Sequence, residues 1–214
     1  MPAGIPFHPA TFENVPSGTV LHVGCGPQTK KSMHQIFQSD AWQEIRLDIN
    51  PDVRPDIIGT MTDMGRVETG SIDAIWSSHN VEHLFPHEVH IALREFHRVL
   101  KPHGFAVIGV PDLQEVARLV VEDKLEDPAY ISPAGPICPI DTLYGLRTSI
   151  ARGNHYMAHK TGFTAKTLSQ YILRAGFAQS RVRKGLCFDL WSVAYVTTPT
   201  EAVRPDEEPV QAAQ

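Results

Sequence analysis

What most restricts this chain is an alternation of strand-like and helix-like segments. Short runs suited to strands, at 19–23, 44–48, 56–58, 72–77 and 105–110, are separated by stretches with helical spacing of apolar residues. Met33, Ile36 and Phe37 give Lys30–Phe37 one such face, and Val89, Leu93, Phe96 and Leu100 give the segment opened by Pro86 another. Lys101-Pro102-His103-Gly104 ends that second helix. The run Ile72–Ser77 is apolar on both faces, as the middle of a parallel sheet requires. Asp112 is placed to cap the next helix, with Glu115 as its capping-box partner. Four prolines between 127 and 139 break regularity, and Asp141–Ala151 reads as a further short helix. Thr164 caps a helix over 165–175 that Gly176 closes, and strands 178–183 and 186–196 form a hairpin across Lys184-Gly185. The order predicts an α/β, Rossmann-like doubly wound fold. Its seven-stranded sheet is mostly parallel, ends in an antiparallel C-terminal hairpin and carries helices on both faces.

The organisation that follows is an irregular lead-in over 1–18, one domain over 19–197 and a disordered tail over 198–214. Within the domain, 112–163 is an insertion suited to shaping a pocket. A net charge of −5 and the lack of a long basic run argue against nucleic acid as a partner. No apolar stretch has the length to cross a bilayer, and Met1–Pro9 lacks the pattern of a signal peptide. Three widely spaced cysteines form no CxxC pair, which suits a reducing cytoplasmic setting.

Four segments carry chemistry. Val20–Pro27 runs from a strand into Gly24-Cys25-Gly26, where backbone can approach a ligand closely. In a doubly wound sheet this point borders the switch-point crevice, and a following helix would direct its N–H groups at an anion. Asp48, at the end of the second strand, is placed to accept both hydroxyls of a ribose, with Ile49 against the adenine face. Asp63 and Met64, after the third strand, are candidates for the adenine amine and an apolar contact. Ser77–Leu84 forms the other lip of the crevice. There the polar groups face the crevice, His79 is the first candidate for acceptor contact or general base, and Glu82 and His83 are read as stabilising the loop. Tyr130, Tyr144, Arg147, Asn154, His155, Tyr156 and His159 are candidates to line an acceptor pocket, with His155 and His159 as further catalytic candidates.

Val20–Pro27 resembles the first motif of class I S-adenosylmethionine-dependent methyltransferases. Ser71–Ile75 with Ser78 and Val81–Leu84 is similar to that family's fourth-strand region. Leu93–Gly104 resembles its L-x-E-x-x-R-V-L-K-P-G-G run, the most specific of the matches, and His159–Thr164 through Phe177 is similar to its entry into the last helix. The resemblance spans about residues 19–196. It implies S-adenosyl-L-methionine as cofactor, held by Gly24, Cys25, Gly26, Asp48, Ile49, Asp63, Met64 and Ser78, and transfer of its methyl group to a small molecule. Two departures stand out: His22 replaces the family's acid, and Gln28 its third glycine.

Other readings are weaker. The missing third glycine argues against a nicotinamide oxidoreductase. The motif of base methylation is absent where Ser77-Ser78-His79-Asn80 stands. No metal site is expected, because Phe85-Pro86 separates His79 and His83 from His87 and His90. A scaffold that binds the cofactor without catalysis is the alternative, and a homodimer is left open.

Overall fold

The computed structural model describes residues 6–7, 12 and 17–198. The expected tail lies outside these from residue 199 on, as does most of the lead-in. Five strands, β1 (Gly18–Val23), β2 (Trp42–Asp48), β3 (Ile57–Ile58), β4 (Ile72–Ser78) and β5 (Leu100–Pro111), run parallel in the order β3-β2-β1-β4-β5. A separate small hairpin, β6 (Tyr130–Ser132) and β7 (Gly135–Ile137), stands apart from the sheet. The sheet is completed by β8 (Gln179–Lys184) and β9 (Asp189–Tyr195), with β9 antiparallel to β5 and β8 at the edge. The chain order reverses between β1 and β4, so the switch point lies at their carboxyl ends.

Alternate residues of the central strands feed two cores. Leu21, Val23, Ile75, Ala106 and Ile108 face one side, against α1 (Pro86–Val99) and α5 (Ala165–Arg174). Val89, Leu93 and Phe96 of α1 and Leu168 and Ile172 of α5 are fully buried there, each contributing about 1.5–3 kcal/mol. Val20, Ala74, Trp76, Phe105 and Val107 face the other side. That side is packed by aromatic and thioether groups: Phe37 lies over Phe105 at 6.2 Å, and Phe12 of the lead-in at 5.2 Å.

Several local expectations change. Lys30–Phe37 is two 3-10 turns, Lys30–Ser32 and Gln35–Phe37, not an α-helix. Side chains there compete for the backbone: Ser32 Oγ donates to Thr29 O at 2.8 Å, and His34 Nδ1 accepts from Ile36 N. The proline-rich stretch forms β6 and β7, turned by Ser132 Oγ, which accepts from Ala134 N and donates to Gly135 O, both at 3.0 Å. Asp141–Ala151 is divided into α3 (Pro139–Tyr144) and α4 (Arg147–Ile150). Asp112 caps α2 (Leu113–Val121) by accepting from Gln114 N at 3.0 Å. Glu115 is not its capping-box partner, because that carboxylate is drawn to Lys184 and Arg118. The final hairpin turns over four residues, 185–188, closed by Gly185 N donating to Asp189 O at 2.8 Å.

Candidate active site

The first lip of the crevice is backbone held by side chains. Gly24 and Cys25 donate their N–H groups to Leu47 O of β2 at 2.8 and 3.2 Å. Gly26 N donates to Asp48 Oδ2 at 2.7 Å, while Asp48 Oδ1 accepts from Asn50 N at 2.8 Å. Gly24 and Gly26 both have positive φ, +63° and +52°. A Cβ on Gly24 would sit 2.1 Å from Asn80 Oδ1, so the second lip packs directly on the first. Asn80 Nδ2 in turn donates to Val23 O at 2.8 Å and Ser78 O at 3.1 Å. A Cβ on Gly26 would meet nothing within 4 Å, so its backbone faces open space.

Arg46 is a residue that the sequence reading missed. Its guanidinium donates to Gly26 O (2.6 Å), Gln28 O (3.1 Å), Val53 O (3.2 Å) and Arg54 O (2.9 Å). One cation therefore satisfies the carbonyls of two turns. The only sequence signal was an arginine inside a strand. His22 is buried with Nδ1 2.8 Å from Glu44 Oε1, and Glu44 Oε2 accepts from Lys30 N at 2.9 Å. Burial lowers the His22 imidazole from its ordinary value, with Glu44 opposing. Burial also pushes the Cys25 thiol up to about 11, so it is no nucleophile at neutral pH.

These residues line a cleft of about 560 Å³, within the usual range for small-molecule sites. Gly24, Cys25, Gly26, Asp48, Ile49, Ser78 and His79 all face it, as do Asn154 and Tyr156. Asp63 and Met64 do not. The backbone turns back between Thr60 and Asp63, Met64 is buried in the core, and Met64 N donates to Glu95 Oε2 at 2.9 Å. Asp63 lies instead by a separate depression with Arg94 and Arg98, and Thr60 and Met61 take the cleft positions.

His155 and His159 are also outside the lining, where Met157 and Lys160 stand. His155 starts an exposed 3-10 turn, and His159 Nδ1 is drawn to Thr142 O at 2.7 Å. Burial lowers the His159 imidazole, with the Glu82 charge opposing. Of the remaining pocket candidates, Tyr130 stacks on Phe188 at 6.2 Å, Tyr144 is exposed, and Arg147 is engaged by Asp141 and Glu126.

His79 is at the end of β4 with φ +55°, a backbone state uncommon for a non-glycine residue. Its N–H donates to Gly109 O at 2.8 Å, and its Nδ1 stands 3.5 Å from Glu82 Oε1. Burial opposes charge on the imidazole, but Glu82, with Asp189 adding, outweighs it and raises the pKa above the usual histidine value. Burial would raise the Glu82 carboxyl, yet its pairing with His79, with His83 and His159 adding, holds it below the ordinary range.

Residues 21–108 match the family model described as "Methyltransferase domain". That segment is similar to a methyltransferase domain, and the sheet order around it is that of a doubly wound fold. No curated relative matches the sequence. Among solved structures, the fold is similar to PH0226 protein from Pyrococcus horikoshii OT3, at 16% identity and a TM-score of 0.60 over 87% of this chain and 86% of that one. It is also similar to a SAM-dependent methyltransferase from Archaeoglobus fulgidus, at 14% identity and a TM-score of 0.55 over 84% and 86%. A third is Burkholderia thailandensis 1,6-didemethyltoxoflavin-N1-methyltransferase, with S-adenosylhomocysteine and 1,6-didemethyltoxoflavin bound. The match is 16% identical with a TM-score of 0.53 over 85% and 72%.

The 93–104 run makes its polar contacts away from the cleft. Glu95 takes Arg98 in a two-pronged pair at 2.6 and 2.7 Å, and Arg98 also donates to Met64 O and Val67 O. Glu95 and Arg98 thus clamp the 64–69 loop onto α1 and leave the cleft untouched.

Proposed function

We propose that this protein transfers a methyl group from S-adenosylmethionine to a small-molecule acceptor by in-line displacement. The observation that carries the reading is the pairing of open backbone at Gly26 with the Asp48 carboxylate at the mouth of one cleft. Each Asp48 oxygen already accepts one backbone N–H, and each keeps a second lone pair for a ribose hydroxyl. Ile49, Val53 and Met61 supply apolar surface for an adenine. Gly24, Cys25 and Gly26 would run beside the methionine end, and Ser78 would close the cofactor's place from the other lip.

The cofactor supplies a methyl carbon already activated on sulfur, so the protein's work is alignment and exclusion of water. Alignment alone accounts for about 7–11 kcal/mol in favourable cases. His79, Asn154, Tyr156 and Lys160 face the cleft from the other lip and from the 112–163 insertion, which gives that insertion its role in acceptor binding. His79 is the residue placed to contact the acceptor or take its proton. The Burkholderia enzyme named above binds 1,6-didemethyltoxoflavin on a similar fold, which supports a small-molecule acceptor. Three free cysteines are consistent with a reducing cytoplasmic site of action.

Calorimetry with S-adenosylmethionine, S-adenosylhomocysteine and NAD tests the reading. Binding of the first two is expected, and binding of NAD alone would end it. Methyl turnover against a metabolite panel then separates an enzyme from a cofactor-binding scaffold.

A further inference from the structure

Behind the His79 lip is a carboxylate that one long ion pair reaches. Glu82 is 0% exposed, and among the described residues neither of its oxygens has a hydrogen-bond partner; the approach of His79 Nδ1 to Oε1, at 3.5 Å, is long for one. A buried carboxylate without hydrogen bonds is unfavourable unless a cation compensates it. The groups facing it are His79, His83 and His159. Full ion pairing would bring an imidazole N–H to hydrogen-bonding distance of a carboxylate oxygen, and the His79 pairing stays at 3.5 Å.

The two histidines other than His79 are oriented for a different task. His83 Nδ1 lies 3.2 Å from Ala158 O, and His159 Nδ1 lies 2.7 Å from Thr142 O. A carbonyl only accepts, so each Nδ1 carries the proton, and in the neutral ring each Nε2 keeps its lone pair. A backbone carbonyl on the far ring nitrogen is the usual outer-shell arrangement of a metal-ligating histidine. One ligand atom from each of Glu82, His83 and His159 falls within 4.8 Å of the others. Tetrahedral zinc with bonds of about 2.0–2.1 Å needs ligand separations of about 3.3 Å, so the three groups would draw together on binding. The frame is fixed without an ion, because Lys160 N and Thr161 N donate to Glu82 O at 2.8 and 3.2 Å.

We propose that Glu82, His83 and His159 bind one divalent transition-metal ion, zinc by ligand chemistry, contrary to the expectation from sequence spacing. Two imidazoles and one carboxylate leave at least one coordination position open. His83 also lines the cleft, so that position faces the proposed acceptor. An oxygen of the acceptor, or a water, would occupy it. This last role rests on the methyl-transfer reading; the ion site itself does not.

The test uses the full chain without a histidine tag, stripped by chelator and titrated with Co²⁺, then with Zn²⁺ in competition. The expected result is one ion per chain, a Co²⁺ spectrum of low coordination number, and displacement by Zn²⁺. Glu82→Gln and His159→Gln should each weaken binding by about a hundredfold, since even outer-shell partners typically matter 10–100-fold. No stoichiometric uptake by the wild type overturns the proposal, whatever the variants do. Uptake unchanged in folded variants, checked by circular dichroism, overturns it too and assigns the ion to other histidines. S-adenosylhomocysteine calorimetry on the same samples separates the two readings. Cofactor binding without ion binding defeats only the metal site, and ion binding without cofactor binding defeats only the methyl-transfer reading.

Discussion

The two lips of the cleft are built on opposite plans. On the β1–β2 side the backbone of the turn is already bonded: Leu47 O, Asp48 and Arg46 hold it from Gly24 to Gln28. On the β4 side a buried carboxylate lacks a hydrogen bond from any described residue, and His79 is held at positive φ. The contrast teaches that the first lip is a rigid seat whose shape is finished before any ligand arrives. The second stores unmet polar demand, which is where a reaction can draw on it.

The largest effect should come from joining the lips badly. Gly24→Ala puts a Cβ on Asn80 at positive φ and displaces the bonds of Asn80 to Val23 and Ser78. Chemical denaturation should register a loss of about 3 kcal/mol. A loss under about 1 kcal/mol would mean that the lips are not tightly coupled.

The next two variants test the division of labour. Asp48→Ala should weaken S-adenosylhomocysteine binding by more than about tenfold, or about 1.4 kcal/mol. Unchanged affinity would remove the ribose assignment. His79→Ala should cut methyl turnover by about tenfold or more while leaving that affinity within about twofold. If both variants alter affinity and turnover alike, the contrast between seat and reactive lip fails.

The smallest effect lies outside the cleft. A hydrogen bond from Arg98 is the main reason the Glu95 carboxyl is held below its ordinary 4.5. A depressed folded-state value stabilises above the unfolded value, and the gain disappears as pH falls through the folded one. The stability difference between wild type and Glu95→Gln should therefore be at most about 1 kcal/mol near neutrality. It should shrink below about pH 4.5. A constant difference across that range would show that the ion pair does not set it.

The sheet could be read from the sequence because period and turn chemistry are local. β1, β4 and β9 declare themselves by apolar runs, and Thr164 and Gly176 mark the ends of α5. Asp48 was readable because a strand end fixes a side chain's place. Lys30–Phe37 misled because its apolar spacing is helical, while Ser32 and His34 spend their polar atoms on nearby backbone. Asp63 and Met64 were placed one turn too far along, since a two-residue strand gives no warning of the reversal between Thr60 and Asp63. The grouping of Glu82, His83 and His159 joins residues 77 positions apart at the extremes, from segments with no common period, and only tertiary packing brings them together.

Arg46 has one further consequence, for traffic. Because its guanidinium ties Gly26 and Gln28 to Val53 and Arg54, the two turns that border the nucleoside end move as a single piece. Prising that rim apart would break four hydrogen bonds to one cation at once. The easier gate is the opposite rim, where Asn154 and Tyr156 reach the cleft from an exposed turn. On the methyl-transfer reading, release of a spent cofactor is then expected to answer to substitutions at 154–157 more than to those in the glycine turn.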